Sequence, residues 1–244
     1  MAKIRINKYL AQLGLSSRRG ADELIAQGIV EINDEEAKMG QSIDPEHDLI
    51  KVKGKLINSL EADSEPKEYW KVYKPVGVVS TANDPSGRPA VTSLVESKVR
   101  LYPVGRLDQD SEGLILLTND GDLTYRLTHP KFQVPKEYLV WLEGKLTDSD
   151  VRHLQRGVMV GGRRTKRSVA EIIFRETRQA KLRIVITEGR NRQIRKMIRA
   201  IKLNVIRLKR VGLGTLKIDK MEAGEAKPLT DQELKDLKKT RFAG

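Results

Sequence analysis

Four consecutive large aliphatic residues, Leu114-Ile-Leu-Leu117, stand directly behind a polar loop bounded by Gly105 and Gly113. Side chains alternate between the two faces of a strand, so a strand that is apolar at every position has to be covered on both faces. The chain must therefore build a layered domain around a sheet whose centre no solvent reaches. β-branched or aromatic runs at 70–73, 76–80, 114–118, 138–142, 182–187 and 205–208 supply further strands. Helical spacing is clear at 192–202, where Ile194, Met197, Ile198 and Ile201 form one stripe, and again at 231–239. An α+β domain on a mixed, largely antiparallel sheet follows.

The start of the chain has another texture. Ile6, Tyr9, Leu10 and Leu13 recur at helical spacing before Gly14, and Ser16 or Ser17 opens a second helix that Gly28 closes. A strand at 29–32, a turn at Asn33 and Asp34, and a strand at Ile50 and Val52 complete a small αα-β unit. The polar segment 58–67 lacks apolar periodicity, as a linker does. The expected division is a small domain at 1–60, a linker at 61–68 and a large domain at 69–244.

With no cysteine, thiol catalysis, thiolate metal sites and disulfides are excluded, and three scattered histidines make a poor metal cluster. No apolar run approaches the ~20 residues of a membrane span, and no leader is recognisable, so a cytoplasmic protein is expected. The net charge of +13 points to a polyanion. The charge is concentrated: 152–210 holds 19 Lys or Arg against Glu171, Glu176 and Glu188. Lys3, Arg5, Lys8, Arg18 and Arg19 cluster in the opening helices, whereas a membrane surface would call for one basic face on a long amphipathic helix. Arg18 and Arg19 fall where the second helix begins, and their guanidinium forks can join its free amides on a phosphate.

The stretch 6–33 resembles the S4-like RNA-binding domain in its helix pair, its Ser-Arg-Arg element and the Gly-Ile-Val-Glu-Ile-Asn that follows. The longest motif, GRLDQDSEGLILLTNDGDL at 105–123, resembles the RsuA family's form of the Gly-Arg-Leu-Asp motif of pseudouridine synthases. KPVGVVST at 74–81, KEYLV at 136–140 and EGRNRQIRKM at 188–197 accompany it in that family's order. Some related synthases carry Thr-His before Gln-Ile-Arg; Asn191 and Arg192 stand there here, which fits the RsuA branch.

That resemblance implies a pseudouridine synthase acting on ribosomal RNA, or on a pre-ribosomal particle, as a monomer without metal or cofactor. Large-subunit RNA is the first choice of substrate and small-subunit RNA the second. Asp108 would be the catalytic carboxylate, Tyr138 the ring against the target base, and Arg195 the cation paired with Asp108. The reaction breaks the bond from the sugar's anomeric carbon to a ring nitrogen, turns the uracil, and rejoins it through carbon. A carboxylate can act in it as nucleophile or as base. The expected RNA contacts are Arg5, Lys8, Arg18, Arg19, Lys74, Arg106, Arg192, Lys196 and Arg199, with Arg106 a candidate to fill the gap left by an extruded base. Two alternatives are a non-catalytic RNA-binding assembly factor and a metal-dependent nuclease using Asp108, Asp110, Asp120 and Asp122.

Overall fold

The computed structural model describes residues 3–57 and 66–240. Its contacts divide the chain into two compact units, Met1–Lys67 with Ser97–Arg100, and Glu68–Glu96 with Leu101–Gly244. Most of the segment expected to be a linker lies outside the described residues.

In the first unit, β1 (Ile4–Arg5) leads into α1 (Ile6–Gln12) and then α2 (Arg18–Ala26). Ser17 caps α2 by accepting from the Gly20 amide at 2.9 Å, which satisfies one of the donors that every helix start leaves free. The strands β2 (Val30–Ile32), β3 (Glu35–Glu36), β4 (Ser42–Ile43), β5 (Ile50–Val52) and β6 (Lys55–Ile57) follow. The order β3-β2-β5-β6 makes an antiparallel sheet, and β1 pairs with β4. Asn33 and Asp34 both have positive φ, 53° and 67°, the geometry of a two-residue hairpin turn. Ile6, Leu10, Ala21, Ile25, Val30, Ile43 and Ile50 close the core.

The second unit is built on one mixed nine-stranded sheet. Its elements are β7 (Tyr69–Lys74), β8 (Tyr102–Pro103), β9 (Glu112–Thr118), α3 (Gly121–Thr128), β10 (Lys136–Glu143) and α4 (Asp148–Arg156). Then come β11 (Met159–Val160), β12 (Arg163–Arg164), β13 (Val169–Arg175), β14 (Gln179–Ile186) and α5 (Gln193–Ala200). Last are β15 (Asn204–Leu213), β16 (Leu216–Lys217), β17 (Ala226–Pro228) and α6 (Asp231–Lys239). The sheet runs β13-β14-β10-β15-β9-β7-β17, with β16 on β15 and β8 on β9; β11 and β12 pair apart from it. Only β15 and β9 run parallel.

All seven residues of β9 are buried, as its composition requires. Several elements depart from expectation, among them β13, where no strand was expected. The run 76–80 is not a strand: Val76 is exposed, and only Val79 forms a bridge, with Ala90. Helices α3 and α4 were unanticipated, although Asp120 caps the first and Thr147 with Asp150 forms a capping box on the second. Their apolar stripes, Leu123 with Leu127 and Val151 with Leu154, are only two buried residues long, which hides the period.

Candidate active site

Asp108 lies in the loop between β8 and β9, and the residues on either side of it are pinned by the segment that follows β7. The Ser80 hydroxyl donates to the Leu107 carbonyl at 2.9 Å and accepts from the Leu107 amide at 3.0 Å. The Gly77 amide donates to the Gln109 carbonyl at 2.9 Å, and the Gln109 side-chain amide returns a bond to the Gly77 carbonyl at 3.2 Å. A carboxylate between two such clamps is held on a rigid support.

Lys74 builds the clamp. Its side chain is fully buried, and its ammonium donates to the carbonyls of Pro75 and Val78, both at 2.8 Å. Burial pushes it down to about 8, against the pull of Asp110, Asp108 and Glu112. The expectation that Lys74 contacts RNA is therefore corrected: the ammonium is turned inward and spent on backbone carbonyls.

Asp108 opens onto a cavity of about 420 Å³ whose wall also includes Arg106, Lys136, Tyr138, Arg192 and Arg210. That volume is within the usual range for a small-molecule-sized site. Tyr138 is 8% exposed on β10, and its cross-strand neighbour on β15 is Arg210. Side chains two apart on a strand share a face, so Lys136 and Tyr138 project together.

The cations around Asp108 differ from the expected arrangement. Arg195 forms its ion pair with Asp110, Nε to Oδ2 at 3.3 Å, and its Nη2 donates to the Asp110 carbonyl at 2.7 Å. The cation nearest Asp108 is Arg192, whose Nη1 stands 3.9 Å from Oδ2. Arg192 also grips Asp110 with both ends of its fork, at 3.1 and 2.6 Å. The expected Arg195–Asp108 pair is corrected for a geometric reason: Asp110, two residues on, meets the start of α5 first and absorbs both guanidinium groups. Hydrogen bonding from Arg192 holds the Asp110 carboxyl below the usual carboxylate range, with burial opposing and the Arg195 charge assisting. Arg192 itself takes a left-handed backbone, φ 50°, just before the helix.

Among the other expected contacts, Arg106, Lys196 and Arg199 are exposed, and Lys196 donates to the Asn191 side chain at 3.3 Å. In the first unit, Arg18 and Arg19 occupy the first two positions of α2 and are exposed, while Lys8 is half-buried. Arg5 donates to the Gly40 carbonyl at 2.6 Å. The four aspartates of the nuclease reading do not gather. Asp120 accepts from the Leu123 amide at 2.9 Å and from the Tyr69 hydroxyl at 2.8 Å. Among the described residues the one metal-like grouping is Asp44, Glu46 and His47 in the first unit.

Sequence reading missed Lys136 and Arg210 as site residues, and gave Asp110 only the role of a carboxylate in the nuclease alternative. Lys136 could have been found from its two-residue offset to Tyr138; Arg210, inside an otherwise ordinary strand, left no such signal.

A family model described as RNA pseudouridylate synthase matches residues 68–200, and an S4 domain model matches 4–50. The chain belongs to the RNA pseudouridine synthases. This synthase is 37% identical over 240 residues to the ribosomal large subunit pseudouridine synthase B of Bacillus subtilis (strain 168), covering 96% of this chain and 95% of the relative. It is also 37% identical to the dual-specificity RNA pseudouridine synthase RluF of Escherichia coli (strain K12), over 97% of this chain and 79% of the relative. A crystal structure of a pseudouridylate synthase superposes with a TM-score of 0.69 at 31% identity, covering 96% and 99% of the two chains. The synthase is thus an isomerase acting on RNA and carrying an S4 domain. No helix among its described residues is long and apolar enough to cross a membrane.

Proposed function

We propose that this synthase converts one uridine of ribosomal RNA to pseudouridine, in the large subunit first and the small subunit second, with Asp108 as its catalytic carboxylate. The observation that carries the reading is that Asp108 and Tyr138, about 100 Å of extended chain apart by sequence alone, line one cavity. The Bacillus subtilis relative, named as a large-subunit enzyme, supports the choice of RNA.

In this reading the target nucleotide leaves its stack and enters the cavity, with its base along the Tyr138 ring. The Asp108 carboxylate acts as nucleophile, or as the base for a sugar proton, while the bond from the anomeric carbon to N1 breaks. The uracil turns, C5 bonds to the anomeric carbon, and the proton lost from C5 is balanced by one gained at N1. Arg192 supplies positive charge near Asp108, and Arg195 fixes Asp110 and with it the far side of the loop. Arg106 fills the place of the extruded base. Arg5, Lys8, Arg18, Arg19, Lys196 and Arg199 meet phosphates, a role that requires no base-specific geometry.

The test is to map pseudouridine in ribosomal RNA from cells with and without this protein. A large-subunit position that reverts to uridine supports the proposal, a small-subunit position supports its second choice, and unchanged RNA in both subunits refutes it. An assembly factor without activity would give that last result.

A further inference from the structure

Two cations in the cavity have no partner that explains them. Arg210 is 2% exposed, its Nε donates to the Leu114 carbonyl at 2.7 Å, and its Nη2 is buried with no hydrogen-bond partner. Lys136 donates to the Val134 carbonyl at 3.1 Å. Neither forms an ion pair among the described residues. Elsewhere in the domain the buried Lys71 is neutralised by Asp219 and Glu233 at 2.8 and 2.6 Å, and the buried Lys74 ammonium is satisfied by two backbone carbonyls. A guanidinium proton left unsatisfied inside a protein is expensive, and groups of this kind persist where a ligand completes them. Burial, with the Arg210 charge assisting, depresses Lys136 to about 8, so the two cations repel each other, and the carboxylates on the same wall, Asp108 and Glu188, form their ion pairs with Arg192 and Arg190 instead.

We infer that Lys136 and Arg210 form a receptor for the two carbonyl oxygens of the target uracil and for the negative charge that the ring carries when detached from the sugar. The inference rests on the cavity at Asp108 being the catalytic site. When the bond between the anomeric carbon and N1 breaks, its electron pair stays on the ring and spreads through N1 onto O2 and, across the C5–C6 double bond, onto O4. Hydrogen-bond donors aimed at those oxygens stabilise the charge as it develops.

The symmetry of the ring suits a pair of donors. Turning uracil about its N3–C6 axis exchanges N1 with C5 and, in the same motion, exchanges O2 with O4. The receptor therefore meets the same two acceptors before and after the turn. The two cations transfer no proton; C5 bonds to the anomeric carbon, loses its proton, and N1 gains one. Cytosine carries an amino donor where uracil has O4, so it would set donor against donor, and the same pair selects uracil.

The experiment compares wild type, Lys136→Met and Arg210→Met as full-length proteins in single-turnover conversion of an RNA carrying the mapped uridine or 4-thiouridine in its place. Sulfur accepts hydrogen bonds weakly, so replacing O4 removes the acceptor instead of the donor. Each methionine variant is expected to bind the RNA as wild type does and to convert uridine about 100-fold more slowly, the size of loss seen when one such donor is removed. Thiouridine is expected to slow wild type and to add little further loss in the variants, the coupling signature of a direct contact. Should Arg210→Met fail to fold, Lys136→Met carries the test alone. A Lys136→Met protein that converts uridine at the wild-type rate overturns the inference, as do losses from variant and thiouridine that simply multiply. Wild type without activity on any RNA would instead refute the catalytic reading beneath it.

Discussion

Replacing Gly113 with alanine probes the joint on which the site is built. Gly113 pairs with Arg210 in the parallel contact between β9 and β15, which consists of two residue pairs. Its φ is +108°, and a Cβ placed there would sit 2.2 Å from the Arg210 carbonyl oxygen and 2.7 Å from its nitrogen. Both obstacles are backbone, so no side-chain rotation relieves them; the strands have to part. The strained φ costs about 1–3 kcal/mol. The overlap adds about 1–3 kcal/mol. Gly224, at φ +93° with nothing within 4 Å of the added carbon, isolates the first contribution in the same unit. Trp70 and Trp141 are the chain's two tryptophans and both lie in the second unit, so fluorescence during urea unfolding follows that unit alone. Gly113→Ala should lose about 1–3 kcal/mol more than Gly224→Ala. It should also lose conversion activity, because Arg210 and the Asp108 loop separate with the strands. Equal losses in the two variants would refute the claim that this close approach organises the site.

Lys136→Met should raise stability at pH 7 by about 1–3 kcal/mol, because it removes a charge that burial disfavours. Between about 8 and 10.5 the unfolded chain holds a proton on this lysine that the folded one has released, so wild-type stability rises with pH there and the variant's advantage shrinks, as denaturation at pH 7 and 10 would reveal. Asp110→Asn should lower stability near neutrality, and that difference should fade as pH falls below 3.8 through the depressed value of the folded carboxyl, above which its contribution is present; acid titration monitored by fluorescence checks it. Replacing Arg18 and Arg19 together with alanine should weaken RNA binding and reduce the slope of log affinity against log salt by about 2, with pseudouridine formation at saturating protein retained.

What could be read from the sequence was whatever has a short-range cause. The all-apolar β9, the Asn33-Asp34 turn and the paired arginines at the start of α2 all follow from spacing of a few residues. The Asp108 loop was legible through its long motif. Partnership across the fold was not. Arg195 and Arg192 lie 82 or more positions from Asp110, and the choice between Asp108 and Asp110 as their partner depends on where the loop after β8 meets the start of α5. Lys74 was read as an RNA contact because a lysine's hydrogen bonds to nearby carbonyls leave no trace in a pattern of residue types. Arg210 becomes conspicuous only when β10 and β15 lie side by side, placing it across from Tyr138.

The most direct test is the Asp108→Asn protein, assayed for pseudouridine formation and for RNA affinity on the same ribosomal RNA as wild type. Asparagine keeps the size of the side chain and removes its charge. The account predicts that pseudouridine disappears while affinity stays within about twofold, since the RNA contacts lie elsewhere. Pseudouridine formed by Asp108→Asn at the wild-type rate would contradict it.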